Sequence, residues 1–291
     1  MVKKNKYSGY FPITKASEET QAYSSEKLMR SFKRAGAPNT LAEEVRDRVE
    51  KELLPNMTTR DIFVRASKHF LSEDPVIAAK YSLKHAIMEL GPAGFLFERY
   101  VGAILHEYGF KIKLNQIMRG KCTTHEIDVV AEKGNEHFLI EAKYHNERGV
   151  KSDIKTIMYT YARLLDIEEV QRKMENGKFS HHAWLFTNTK LTSKAAVFGR
   201  CRNIRMTGWR YPHGESLEEL IEGKGLYPVT ILPAVEGEAR ERFALAKLFF
   251  VRDLRGFTKE RFQKDFDLAP KKASVIASQA ELFLDRLDKT K

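Results

Sequence analysis

Four side chains in the middle of the chain have the types and spacing to work together on a phosphodiester: Glu98, Asp128, Glu141 and Lys143. In Ile127-Asp128-Val129, strand alternation sends Asp128 to the face opposite its two apolar neighbours. In the next apolar run Phe138, Ile140 and Ala142 share one face, which leaves Glu141 and Lys143 together on the other. Glu98 falls, at helical spacing, on the same face as Phe95, Val101, Gly102 and Leu105, and a carboxylate on an apolar stripe needs an explanation.

The chemistry follows from the donor set. Hard cations such as Mg²⁺ or Mn²⁺ are held by carboxylate oxygens, and they neutralise charge at a scissile phosphate while activating water. Asp128 and Glu141 would hold the metal, the carbonyl of Ala142 would add a third ligand, and Glu98 would complete the shell directly or through water. Lys143 would orient or deprotonate the attacking water, or neutralise developing charge, because an amine beside a cation can have a lowered pKa. The bland alternative is that Glu-x-Lys is an exposed pair on an edge strand; what opposes it is four elements in order with agreeing helix and strand phases.

These residues resemble the PD-(D/E)xK superfamily, in particular its Mrr-like restriction endonuclease branch. The resemblance is carried over about residues 91–210 by Glu98, by His125-Glu126-Ile127-Asp128-Val129-Val130, by Ile140-Glu141-Ala142-Lys143 and by Trp184-Leu185-Phe186-Thr187-Asn188-Thr189. Many Mrr-like proteins have Gln where this chain has Glu141, so this chain has one more ligand charge. The resemblance implies a restriction-endonuclease-like domain that cleaves DNA in restriction or defence.

The elements that must position these residues change in character along the chain. Tyr10 to Thr14 and Thr20 to Tyr23 read as a β-hairpin, followed by amphipathic helices carrying Leu28, Met29 and Phe32, then Leu41, Val45, Val49 and Leu53, then Ile62, Ala66 and Phe70. Asn39 or Thr40 is the expected cap of the second helix. A fourth helix, about 75–89, ends at Gly91-Pro92. Beyond it a helix at about 93–108, strands near 110–118, 124–131 and 137–143, a helix at about 151–176, a strand at 182–187, a helix around 192–202 and a strand at 204–210 alternate as a covered sheet should. From about 236 the pattern is helical again. The expected fold class is therefore α+β and α/β, in three parts: residues 1–90, 91–232 and 233–291.

The first part, a hairpin followed by helices, resembles the ATP-cone domain, a nucleotide-sensing module. That resemblance is carried by Ile13-Thr14-Lys15, Gln21, Lys27 and Thr58-Thr59-Arg60-Asp61-Ile62. It implies ATP or dATP as effector, with Lys15 and Lys27 on phosphates, Thr59 or Arg60 adding hydrogen bonds and Gln21 reading the base; lysines near a helix N-terminus suit a triphosphate. The tip Ala16-Ser17-Glu18-Glu19 departs from the usual basic residue followed by Asp-Gly or Asn-Gly. The alternative is a small helical domain with solvated lysines.

Composition limits the rest. A net charge of +11 suits a polyanionic partner such as DNA, although it could serve solubility alone. Gly120-Lys121 is followed by Cys122 and preceded, five residues before Gly120, by Asn115, so no Walker A loop is present, and Val129 stands where a zinc-protease helix would need its second His after His125. Cys122 and Cys201 lie too far apart in sequence, without finger spacing, to suggest a disulfide framework or structural zinc. No apolar run reaches membrane length and residues Met1 to Lys6 lack a signal-like stretch, so a cytoplasmic protein off the membrane is expected. The basic residues of the C-terminal helices, Arg240 to Lys272, could grip DNA or form a salt-bridged face that stabilises the domain or a homo-oligomer. His145, His181 and His182 read as surface or structural residues rather than ligands. The rivals to a nuclease are a nucleotide-responsive DNA-binding regulator on an inactive nuclease fold and a scaffold protein in which the cone-like part mediates oligomerisation.

Overall fold

The computed structural model describes residues 12–14, 19–91, 94–147, 149–174 and 178–289. It divides into two compact units, one formed by the described residues up to Leu83 together with those from Glu281, the other by Lys84–Ala280. The expected mixed α+β class is what the chain adopts.

In the first unit β1 (Pro12–Thr14) pairs antiparallel with β2 (Thr20–Ala22), with Ile13 opposite Gln21. Tyr10 and Phe11 of the expected first strand, Lys15, and Ala16 to Glu18 of the expected tip lie outside the described residues. Helix α1 (Ser25–Arg34) is started by Ser24, whose hydroxyl accepts the Lys27 N–H at 3.2 Å. Helix α2 (Asn39–Lys51) begins without the expected side-chain cap: Pro38 occupies the capping position and Asn39 is already helical. Pro has its φ preset and no side-chain acceptor to offer, so the helix opens on backbone geometry alone. Helix α3 (Thr59–Glu73) has a reciprocal box, in which Asp61 N–H donates to Thr58 Oγ1 at 3.1 Å and Thr58 N–H to Asp61 Oδ2 at 2.8 Å. Phe32 and Phe70 meet edge to face at 4.8 Å in the core between these helices. Helix α4 (Pro75–Met88) follows.

The second unit is built on a five-stranded sheet. Helix α5 (Phe95–Glu107) precedes β3 (Lys111–Arg119), β4 (Thr124–Lys133) and β5 (Glu136–Lys143), which form an antiparallel meander. A short β6 (Lys151–Ser152) and α6 (Ile154–Met174) replace the single helix expected over 151–176. Then come β7 (Ser180–Thr187), β8 (Lys190–Leu191), α7 (Ser193–Cys201) and β9 (Arg205–Thr207). The sheet order is β3-β4-β5-β7-β9, with β7 and β9 added parallel to β5. Helices α8 (Leu217–Lys224), α9 (Glu238–Leu245), α10 (Lys259–Phe266) and α11 (Pro270–Lys289) complete the chain.

Helices cover both faces of this sheet. On one side α5 approaches so closely that a Cβ at Gly102 would lie 2.9 Å from Leu114 and 3.2 Å from Ile112. Phe95, expected on the buried stripe of α5, is instead 52% exposed; the buried arc is turned toward Leu96, Phe97, Tyr100, Val101 and Ile104, which leaves Phe95 outside it. On the other side Ile157, Leu164 and Ile167 of α6 pack on Ile127, Val130, Leu139 and Leu185. Among the described residues no helix is long and apolar enough to cross a membrane.

The β3–β4 turn is clipped to α6. Asp166 accepts the N–H of Cys122 at 2.8 Å and pairs with His125 at 2.7 Å, and these hydrogen bonds hold its carboxyl well below the usual range. A Cβ at Gly120 would fall 2.0 Å from Asp166 Oδ2 and 2.9 Å from the Thr123 carbonyl. Because that carboxylate is tied on several sides it cannot swing clear, so Gly120→Ala should lower stability by about 1–3 kcal/mol, the scale of an overpacked site. Urea unfolding with an unchanged midpoint would contradict this.

Candidate active site

The four sequence-selected residues come together where strand pairing breaks. The β3–β4 register passes from Leu114↔Val129 to Gln116↔Ile127, which sets Asn115 across from Asp128. The β4–β5 ladder runs from Lys133↔Glu136 to Val129↔Ile140, and one step further sets Asp128 across from Glu141. Asn115 has a left-handed backbone, φ 48°. At this row the side chain of Asp128 takes the Ala142 N–H at 2.7 Å, so a side chain does there what a strand carbonyl does elsewhere.

Each carboxylate is held by a different element. Glu98, in the first turn of α5, accepts from Asn115 Nδ2 at 3.1 Å. Glu141 pairs with Arg163 of α6, whose side chain is only 9% exposed. Lys143 is exposed at the end of β5, on the face of Glu141. All three acids are pushed above the ordinary carboxylate range. For Glu98 the causes are burial and then the charge of Asp128; for Asp128, burial, opposed by the Ala142 N–H and Arg163; for Glu141, burial and then Asp128, opposed by Arg163 and Lys143.

The donor set has the chemistry for a hard cation, because oxygens crowded in partial burial repel one another until a positive charge joins them. One oxygen of each is in use, on Asn115, on Ala142 and on Arg163. Among the described residues, however, no three His, Cys, Asp or Glu side chains converge closely enough to ligate one ion together. The fit is therefore two-sided: the charge invites a cation, while Arg163 already supplies one to Glu141.

Sequence reading missed three participants. Arg163 lies on the buried stripe of α6 with Ile157, Thr160 and Ile167, the same signal that singled out Glu98. Asn115 was visible only as a poor strand former inside a strand. Glu126, exposed on β4, adds its negative charge to Asp128 and Glu98. Of the histidines singled out in the sequence, His145 bonds Ser152 and His181 is buried.

In the first unit, Gln21, Lys27 and Thr59 line one solvent-open recess of about 500 Å³ with Ile13, Tyr23 and Tyr81. Lys27 Nζ donates to Gln21 Oε1 at 3.5 Å. Arg60 is exposed and does not line the recess, and Lys15 lies outside the described residues. In the second unit the C-terminal basic residues are largely spent within it: Arg242 bonds the carbonyls of Phe266 and Asp267, Arg252 pairs with Glu107 at 2.6 Å, and Arg261 with Asp265 at 3.2 Å.

The fold and site thus define a mixed α+β protein with an acidic cluster at the broken end of its central sheet. No family model matches the chain. It is 41% identical over 178 residues to an uncharacterised protein of Archaeoglobus fulgidus, covering 61% of this chain and 96% of that one, and it belongs to the same family. The crystal structure of a protein of unknown function is similar to it with a TM-score of 0.56 and 39% identity, over 65% of this chain and 97% of that chain.

The raised acids set a pH dependence. Their folded pKa lies above the unfolded value, so the native state binds more protons in that interval and stability falls as pH rises through it. Asp128→Asn keeps an acceptor for Ala142 N–H and removes the repulsion. Without divalent ions it should melt higher than wild type at neutral pH, and the advantage should vanish below the ordinary carboxylate range. An equal or lower midpoint at pH 7 would refute the crowding.

Proposed function

We propose that the chain is a Mg²⁺- or Mn²⁺-dependent endonuclease that hydrolyses DNA phosphodiesters, with Glu98, Asp128, Glu141 and Lys143 as its catalytic set. What carries this reading is the single row that gathers Asp128 and Glu141 from adjacent strands, with Glu98 charge-coupled to them and Lys143 sharing the face of Glu141. Asp128, Glu141 and the Ala142 carbonyl, with Glu98, would hold the cation, which would supply charge neutralisation and an activated water; Lys143 would meet charge developing on the phosphate. The resemblance to Mrr-like enzymes supports DNA as substrate and a part in restriction or defence, within the cytoplasm.

Gating by ATP or dATP on the first unit belongs to the same proposal, supported by the grouping of Gln21, Lys27 and Thr59 around one recess. A second reading, a nucleotide-responsive DNA-binding regulator with an inactive nuclease fold, is favoured by one observation: Arg163 satisfies Glu141 without a metal. Assembly into a homo-oligomer is compatible with either.

Purified protein with Mg²⁺ or Mn²⁺ should nick or cut plasmid. Glu141→Ala and Asp128→Ala should each reduce this at least about 100-fold, the scale of removing one group that stabilises transition-state charge. DNA binding without cutting under any divalent ion would favour the regulator, and cutting that survives both substitutions would remove the assignment.

A nucleotide that prefers the folded state must raise its stability, by about 2.7 kcal/mol at a hundredfold excess over Kd. ATP or dATP should therefore raise the melting temperature of wild type and much less that of Lys27→Ala. An equal shift in both would remove the recess from the proposal.

A further inference from the structure

Four lysines at one end of the central sheet occupy positions that local stability disfavours. Lys151 of β6 and Lys190 of β8 are direct partners in a parallel pair, so their side chains leave the same face, and both are exposed. Like charges set opposite one another on a sheet destabilise it. Lys155 and Lys194 stand exposed in the first turns of α6 and α7, where the helix dipole repels a cation and neither first turn carries an acid. Asp153, which lies between Lys151 and Lys155 in sequence, is turned onto the start of α6, accepting from Thr156 N–H at 3.2 Å, and its charge partly offsets that of Lys155 but does not form a close ion pair with it. None of the four lysines has an ion-pair partner among the described residues.

The lysine pair is also held rigidly. Ser152, adjacent to Lys151 and fully buried, bonds His145 Nε2 at 3.0 Å and donates to Thr187 Oγ1 at 2.9 Å. Asn188, equally buried, accepts the His145 N–H at 2.9 Å and donates to its carbonyl at 2.8 Å. The Ser152 carbonyl takes the N–H of Thr192, which caps α7. Buried polar groups satisfied this fully fix one arrangement. Thr187 is the register partner of Lys143, so the network seats β6 and β8 at the sheet end that carries the carboxylates. Positions that break local rules and yet are tightly supported are where function is to be sought.

We propose that Lys151, Lys190, Lys155 and Lys194 form a phosphate-binding edge that holds the backbone of duplex DNA beside the carboxylate site. The proposal rests on the nucleic-acid reading of that site. Four point charges without base-reading geometry suit a repeating polyanion rather than a particular sequence. The duplex is favoured over a single strand because among the described residues β6 and β8 have no aromatic residue, Phe198 of α7 packs against the core, and exposed Tyr159 of α6, with Arg163 over its ring at 5.1 Å, is a single aromatic rather than a series of stacking platforms.

The test is binding of a short duplex and of its single strand by fluorescence anisotropy, in EDTA, over a range of salt concentrations. Wild type should prefer the duplex. In Lys151→Gln/Lys190→Gln, and separately in Lys155→Gln/Lys194→Gln, the slope of log K against log salt should fall by about 0.9 for each phosphate that is no longer neutralised. Both double variants should melt at or above the wild-type temperature, since each loses an unfavourable charge placement. Unchanged slopes in both variants overturn the proposal, as does a preference for the single strand. Because EDTA removes any metal-dependent cutting, the two readings fail separately: reduced slopes in a chain that never cuts DNA would sink the nuclease and leave the edge, whereas cutting by wild type with unchanged slopes would do the reverse.

Discussion

The second unit depends on a place where strand pairing stops. Antiparallel strands satisfy each backbone group with a neighbour, and a row that fails to pair must find other partners or lose stability. Here the failed row runs through Asn115, Asp128 and Glu141, and side chains take over: Asp128 accepts the Ala142 N–H and Asn115 reaches Glu98. The same break that opens the sheet brings acids from α5, β4 and β5 into one small volume. Their crowding therefore belongs to the strand geometry and is not a local accident of one loop.

Crowding of this kind needs a counter-charge, and the structure contains two kinds. Arg163, nearly buried on α6, compensates Glu141 from below the sheet surface, while Lys143 lies at the exposed edge. A buried guanidinium is held mainly by its partner, because either charge left alone would bear the full desolvation penalty. Arg163 therefore fixes where Glu141 points as much as it neutralises it. A metal entering here would compete with Arg163 for Glu141, to which it is bonded, and for the charge of Asp128, but not for Glu98, whose hydrogen-bond partner is the neutral amide of Asn115.

Much of this was legible in the sequence where period and burial coincide. The carboxylate on the apolar stripe of α5 was recognised for that reason. The alternation from Phe138 to Lys143 puts Glu141 and Lys143 on one face, but around Asp128 it fails: Ile127 packs with Val130 toward α6, whereas Val129 pairs with Leu114, which lies against Gly102 of α5. What escaped notice has physical causes. The break at Asn115 is a single backbone conformation inside an otherwise regular strand, and two-residue periodicity cannot register it. Strand β6 is two residues long and runs almost directly into α6, so hydrophobic period merges the two. Arg163 carried a readable signal, but a long cationic side chain on a helix is ordinarily taken to snorkel outward, and only the facing Glu141 shows that this one turns in.

Charge illustrates the same divide at a larger scale. A net charge of +11 says that a polyanion is attracted but not where it would bind. The C-terminal helices carry the densest basic run, yet Arg242, Arg252 and Arg261 are engaged with carbonyls and carboxylates of their own unit. The lysines left without partners are fewer and more scattered in sequence, and the topology of β6, β8, α6 and α7 brings them to one sheet end. Density of basic residues along the chain is thus a poor guide to positive surface; a more selective one is which charges the fold leaves uncompensated in positions that its own electrostatics disfavours.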